Sequence, residues 1–164
     1  MSSTQFCTPD WLNQCAKIYA DSPELQKPLK NLSVKMAYRI NVEPEMGFEN
    51  SLIFCTFFED GKLTKACLLS EEQVKEEAEF LVTAPVARWT SLLRKQSKFA
   101  VDFALRKVKL ELGSKVGVLA VAPYSGHVVN MLTQVDVQFP DEMAGEELKA
   151  YSTTIEELRA DLNN

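Results

Sequence analysis

The residues able to do polar chemistry are few and scattered. The single histidine, His127, sits in YSGHVV. A nucleophilic relay needs that imidazole within hydrogen-bond reach of a hydroxyl or thiol and oriented by a third group. No such pattern surrounds it, and His127 reads as a surface or capping residue. The four cysteines, Cys7, Cys15, Cys55 and Cys67, show no C-x-x-C spacing, so zinc and dithiol-motif chemistry have no support. They read as free thiols filling core, with Cys55 and Cys67 placed to face each other across a hairpin. The acidic runs EEQVKEE and GEELK fall at turns and helix starts, where a solvated face or the helix dipole accounts for them. There is no G-x-G-x-x-G and no phosphate-binding P-loop. The sequence therefore assigns no catalytic residue, no metal and no cofactor, and the chain reads as a non-enzyme. Tyr38, Tyr124, Arg39, Arg88, Arg94 and Arg106 could hold a polar head group, against the plainer reading of surface charge and half-buried phenol.

The apolar inventory is much richer, with nine Phe, two Trp and five Met. It concentrates in TAPVARWTSLLRKQSKFAVDFALRKVKLELG, residues 83–113, which carries Trp89, Leu92, Leu93, Phe99, Phe103 and Leu105. These side chains are either an ordinary core or the wall of a site.

Length and composition bound the answer. At 164 residues, the chain buries roughly 68–70% of the surface its unfolded form exposes, so a core forms without staples. A 46% hydrophobic and 25% charged composition is that of a globular protein and argues against disorder. The net charge of −5, with no basic run, disfavours nucleic acid and argues against stable docking on anionic lipid. The polar start MSSTQFCTPDW has no signal-peptide pattern, and VGVLAVAP, the longest apolar run, is far shorter than a membrane span. A cytoplasmic protein without membrane insertion is expected.

Periodicity supplies the elements. TPDWLNQCAKIYAD opens with Thr8 as cap and Pro9 at the first helical position, and SPELQKPLKN follows with Ser22 and Pro23 in the same roles. In LSVKMAYRINV the period changes to two, the pattern of a half-buried strand. SLIFCTFFEDGKLTKACLLS reads as a hairpin about Asp60-Gly61. Its first strand is apolar on both faces and so needs cover on both. SEEQVKEE is a helical turn or loop, and AEFLVTA a fourth strand. The helix PVARWTSLLRKQ carries Val86, Trp89, Leu92 and Leu93 on one face. Ser97 caps KFAVDFALR, and KVKLELG is a fifth strand with Val108, Leu110 and Leu112 inward. A last helical region, KVGVLAVAPYSGHVVNMLTQV, must break at Pro123. An acidic tail ends in an amphipathic helix using Leu148, Tyr151, Ile155, Leu158 and Leu162. Strands in a block rather than alternating with helices give an α+β fold, a mixed sheet with helices packed on one face.

From about Phe6 to Leu132 this pattern resembles the sterol-carrier-protein family. The opening F-x-x-P-D-W helix, the strand–Asp-Gly–strand unit LIFCTFFEDGKLTKACLL, and AEFLVTAPVARWTSLLRKQSKFAVDFALRKVKLELGSKVGVLAVAP carry the resemblance. The chain departs from the family pattern at Lys95 to Ser97, at Arg106 and at Ser114, where glycine or Gly-Asp is usual. The resemblance implies a five-stranded sheet ordered 3-2-1-4-5 and an apolar tunnel between sheet and helices for fatty acids, acyl chains or sterol-like lipids. The expected wall is Phe54, Phe80, Val82, Trp89, Leu93, Phe99, Phe103, Leu110 and Leu119. Residues 1–136 would form the lipid-binding domain and 137–164 an acidic extension. A hydrophobic small molecule is the expected partner. The alternative is a protein-interaction or dimerisation module, a homodimer included, on the same fold with its cavity collapsed.

Overall fold

The computed structural model describes residues 4–163. Residues 1–3, at the polar start of the sequence, and residue 164 lie outside the described residues. In chain order the elements are β1 (Thr4–Gln5), α1 (Pro9–Ala20), α2 (Pro23–Gln26), β2 (Val34–Ile40), β3 (Leu52–Glu59), β4 (Lys62–Leu69), α3 (Glu71–Glu77) and β5 (Phe80–Ala84). Then follow α4 (Val86–Leu93), α5 (Phe99–Ala104), β6 (Lys109–Leu112), α6 (Lys115–Val121), α7 (Ser125–Leu132), β7 (Val137–Gln138) and α8 (Glu146–Leu162). A 3-10 turn, Ala122–Tyr124, joins α6 to α7 at the expected proline break. No helix among the described residues is long and apolar enough to cross a membrane.

Five strands form one mixed sheet in the order β4-β3-β2-β5-β6. Counting those five alone, this is the expected 3-2-1-4-5 order. The central β2 runs antiparallel to β3 and parallel to β5. Asp60 and Gly61 both take positive φ at the β3–β4 turn, the geometry that lets a two-residue hairpin follow the strand twist. Gly61 has a second reason to lack a side chain, since a Cβ there would stand 2.6 Å from the Lys30 Cα.

The inner face of the sheet carries the large core, to which α1, α4, α5, α6, α7 and α8 all contribute buried residues. The outer face holds a smaller cluster of Ala37, Ile53, Cys55, Phe57, Leu69 and Leu81 beneath Val74 of α3. Every residue of β3 except Glu59 is consequently buried, as its two-sided apolar pattern requires. α3 forms because Ser70 and Gln73 close a capping box: the Ser70 hydroxyl accepts from the Gln73 N–H, and the Gln73 side chain accepts from the Ser70 N–H.

Two local expectations differ. Lys98, not Ser97, is the residue before α5, and no side chain caps that helix. Leu112 is not inward but 37% exposed. β6 spends two residues against one of β5 between the pairs Val82–Leu110 and Leu81–Leu112, a bulge that re-aims the strand end. The acidic tail carries the expected amphipathic helix and packs on the core. Val137–Gln138 pairs in parallel with Thr4–Gln5, Tyr151 and Ile155 are fully buried in the main core, and the Tyr151 hydroxyl donates to the Phe6 carbonyl.

Candidate functional site: an apolar cavity and its mouth

The alternating face of the central strands builds the floor of a cavity. Register sets Tyr38 opposite Phe54 and Met36 opposite Thr56, and these side chains, with Val34 and Phe58, point at the helices. The roof comes from Trp89, Leu92 and Leu93 of α4, Phe99 of α5, and Val121, Tyr124, Val128, Val129 and Leu132 around α7. The cavity's volume is about 70 Å³ and nearly all of its lining is apolar.

Aromatic contacts hold this wall in shape. The Tyr38 ring stacks on Phe54 at 4.8 Å between centroids and meets Trp89 edge-on at 5.7 Å, arrangements that suit the ring quadrupoles. The Trp89 indole N–H donates to the Arg39 carbonyl at 2.9 Å, pinning α4 to the sheet. The polar pair within the lining is Tyr38 Oη and Thr56 Oγ1, 2.8 Å apart. Burial pushes the Tyr38 phenol up to about 12, against the opposing pull of the Thr56 hydrogen bond. Tyr38 is therefore a neutral hydrogen-bonding group at physiological pH.

An open groove of about 500 Å³ lies against the cavity between the α4–α5 connection and α7. Leu92, Phe99, Ser125 and Val129 line both spaces and form the partition between them. Lys95, Ser97, Lys98, His127 and Asn130 line the groove, and among the described residues no carboxylate does. The connection has two marks of poor settlement. Lys95 adopts φ +62°, uncommon for a residue with a Cβ. The buried Ser97 hydroxyl finds no hydrogen-bond partner among the described residues.

Of the nine expected wall residues, the structure brings Phe54, Trp89, Leu93 and Phe99 to the cavity. Val82 is fully buried in the same core without reaching it. Phe80 lies over Gly117, where an added Cβ would come within 2.6 Å of its ring. Phe103 and Leu110 line a separate shallow pocket. Leu119 is 46% exposed, because α6 turns the adjacent Val118 inward and leaves its neighbour roughly 100° around the helix. Sequence reading missed Val128 and Val129, although their spacing with Leu132 marks one helix face.

Of the expected head-group candidates, Tyr38 and Tyr124 line the cavity. Arg39 is held on the outer face by Glu71, Glu111 and Ser51. Arg88 pairs with the buried Asp102 at 3.5 Å. Arg94 pairs with Asp141 and Glu142 and lies over the Phe139 ring. Arg106 is exposed. His127 is exposed too, and among the described residues no group of three or more His, Cys, Asp or Glu is placed to hold a metal.

Cys55 and Cys67 are direct cross-strand partners, as expected. The neighbouring Cys55 thiol and the Lys65 ammonium favour the Cys67 thiolate and draw Cys67 down to about 7, while its Cys67 neighbour and burial drive Cys55 up. This pair lies on the outer sheet face, away from the cavity.

The architecture has close counterparts among solved structures. The crystal structure of a sterol carrier protein 2 superposes with a TM-score of 0.65 at 19% identity, covering 80% of this chain and 99% of that one. The fold is that of sterol carrier protein 2. A conserved hypothetical protein from Thermus thermophilus, suggested to be a sterol carrier protein, matches with a TM-score of 0.71 at 17% identity, over 84% of this chain and 94% of its own. The apo form of sterol carrier protein 2 from Yarrowia lipolytica matches at 0.50 and 11% identity, over 74% and 88%. No protein-family model matches the sequence, and no curated protein matches it. The sterol-carrier likeness thus resides in the order and packing of elements, and at these identities it speaks for the fold.

Proposed function

We propose that the protein binds or carries a hydrophobic ligand, a fatty acid, acyl chain or sterol-like lipid, between the sheet and helices α4, α5 and α7, without catalysis. The observation that carries this reading is the apolar cavity on the inner sheet face with an open groove directly beyond its partition. Each methylene moved from water into such a space is worth about 0.8 kcal/mol. A dozen gain on the order of 10 kcal/mol before association and ordering costs.

As it stands, 70 Å³ is far below the roughly 300–1,000 Å³ of small-molecule sites. Uptake therefore requires the partition to open. α4 is fixed by the Trp89 bond to the sheet and by Arg94 against residues 139–142, so α5 and α7 are the elements that part. Phe54, Trp89, Leu93 and Phe99 are the wall residues in this reading. Residues up to 136 form the binding body, and 137–164 brace it through α4 and the Phe6 carbonyl.

The test is direct. Protein purified from a cell extract is denatured and its lipid content measured by mass spectrometry, and the stripped protein is titrated with a fluorescent fatty acid. Stoichiometric lipid and saturable binding support the carrier; the absence of both overturns it. The small present volume favours one second reading, an interaction or dimerisation module on the same fold. Light scattering showing a concentration-dependent dimer in lipid-free protein would support that reading.

A further inference from the structure

Two of the four free thiols stand face to face across a strand pair. The β3–β4 register runs unbroken from Ile53–Leu69 to Phe57–Lys65, and Cys55–Cys67 is the middle pair of that run. Both side chains lie on the outer face of the sheet. Cys55 belongs to the small cluster beneath α3, and Cys67 packs against it. Directly opposed residues of an antiparallel pair hold their Cα atoms about 4.5–5.5 Å apart. A disulfide spans roughly 4.4–6.8 Å between Cα atoms, so a bond between these two asks for no change of register. Cys7 and Cys15 belong to the main core on the inner face, and the sheet separates them from this pair.

The two thiols have different surroundings. Cys55 is fully buried, whereas Cys67 is partly exposed. Lys65 lies two residues before Cys67 on β4 and therefore on the same face, and its ammonium pairs with Glu77 of α3 at 2.5 Å. The groups that bear on Cys67 are thus Cys55 from β3, Lys65 from its own strand and Glu77 from α3. Cys55, foremost, and Lys65 favour the Cys67 thiolate; burial and Glu77 oppose it. Cys55 is held as a thiol by its Cys67 neighbour and by burial. An accessible thiolate beside a buried thiol divides the labour of a redox pair, one sulfur to be oxidised and the other to resolve it.

We propose that Cys67 and Cys55 form a dithiol oxidised by hydroperoxides, whose disulfide fastens the edge strand β4 to β3. In the first step the Cys67 thiolate attacks a peroxide oxygen. An S–O bond forms, the O–O bond breaks, and the hydroperoxide leaves as water or an alcohol after taking one proton. In the second step Cys55 attacks the Cys67 sulfenic acid. The S–S bond forms, the S–O bond breaks, and the departing hydroxide takes the Cys55 proton as water. Two electrons pass from the two sulfurs to one hydroperoxide, and nothing else is consumed. β4 ends the sheet and pairs on one side only, the position where a strand is least secured by its neighbours. A covalent tie at the middle of its regular register holds it where hydrogen bonds alone do so in the reduced protein. The pair is remote from the cavity, so this chemistry does not depend on a bound lipid.

The test uses the full chain, reduced and then treated with hydrogen peroxide at neutral pH. Thiols titrated after denaturation should fall from the four of the reduced protein to two, and dithiothreitol should restore them. Tryptic cleavage places Cys55 in residues 40–62 and Cys67 in residues 66–75, and these two peptides should run as one linked species until reduced. The rate should rise with pH through about 7 and then level. Cys55→Ala should instead leave a Cys67 sulfenic acid that dimedone traps. Amide hydrogen exchange across residues 62–69 should slow on oxidation. The parent chain alone decides the matter, whatever the folding of the variant. Four thiols surviving peroxide would overturn the proposal. So would Cys67 passing to sulfinic acid while Cys55 stays reduced, or a disulfide that joins two chains or engages Cys7 or Cys15. Unchanged exchange across β4 in the linked protein would overturn the fastening of the edge.

Discussion

The Trp89 indole N–H donates to the backbone carbonyl of Arg39 while its ring meets Tyr38, the preceding residue, edge-on. One side chain thus sets both the height of α4 above the sheet and the width of the cavity beneath it. Trp89→Phe keeps an aromatic wall but removes the tie to the sheet. A cost of about 0.5–1.5 kcal/mol is expected, the net worth of one hydrogen bond. Trp89→Ala should cost about 3–5 kcal/mol. Chemical denaturation measures both, and equal stability for Trp89→Phe and the parent would show that the bond does not position the helix.

Val129 stands between the apolar cavity and the adjoining groove. Val129→Trp should fill the partition at an overpacking cost of about 1–3 kcal/mol. The expected outcome is an unchanged far-ultraviolet circular dichroism spectrum and no response to fluorescent fatty acid. Undiminished uptake in a folded variant would place the entrance elsewhere.

What could be read from sequence follows the periodicity of single elements. Leu32 to Val42 alternates without interruption, and the two-faced apolar run of residues 52–58 demanded cover on both sides; both signals are local. Trp89 and Leu93 share one face of a helix and so read as facing the sheet, whereas Phe54, in a strand apolar on both faces, owes its inward side to the register with Tyr38. Leu119 was not legible, since a helix that begins after a turn and ends at Pro123 has no phase fixed from outside itself. The same break hid Val128 and Val129. The two-residue pairing of Thr4–Gln5 with Val137–Gln138 is too short for any period, and the bulge near Leu112 depends on a neighbouring strand.

Tyr38 makes stability depend on alkaline pH. Its phenol titrates at about 12 in the folded protein against an ordinary value of 10. A folded value raised above the unfolded one gives stability that is complete below pH 10 and lost as pH climbs toward 12. Burial raises Tyr19 and Tyr151 as well, so they add to this loss. Tyr38→Phe forfeits the Thr56 hydrogen bond and should be about 1 kcal/mol less stable at about pH 8. The difference should shrink or reverse near about pH 11.5, as followed by urea titration at both pH values. A gap that stays constant would mean that the Tyr38 phenol is not shifted by burial.

Cys67 should be the first thiol to react. The adjacent Cys55 thiol, then the Lys65 ammonium, favour its thiolate and draw it to about 7. Burial instead drives Cys7 up and holds Cys15 near 11, which keeps both as thiols. Peptide mapping after brief iodoacetamide treatment at neutral pH should find Cys67 labelled and Cys7 and Cys15 labelled only after denaturation. Cys55→Ala should move the half-maximal rate toward the ordinary thiol value of about 8.5. Cys7 or Cys15 labelling ahead of Cys67 would contradict a lowered Cys67 thiol.

Tyr151 reaches from α8 to the other end of the chain, its hydroxyl on the Phe6 carbonyl at 2.5 Å and its ring edge-on to Phe48. Its side chain also packs against Gly47, which holds a left-handed φ of 88° at the end of a 3-10 turn. α8 thereby closes the core at the N-terminal segment rather than trailing from a finished domain. Tyr151→Phe retains the packing and should cost about 1–3 kcal/mol through the orphaned carbonyl; Ile155→Ala should cost about 2–5 kcal/mol. A chain ending at residue 136 would lose Tyr151 and Ile155 together with the β1–β7 pairing, and should show no cooperative thermal transition. If that shortened chain melted cooperatively near the temperature of the full one, the segment would be an extension after all, and its packing would contribute little to the fold.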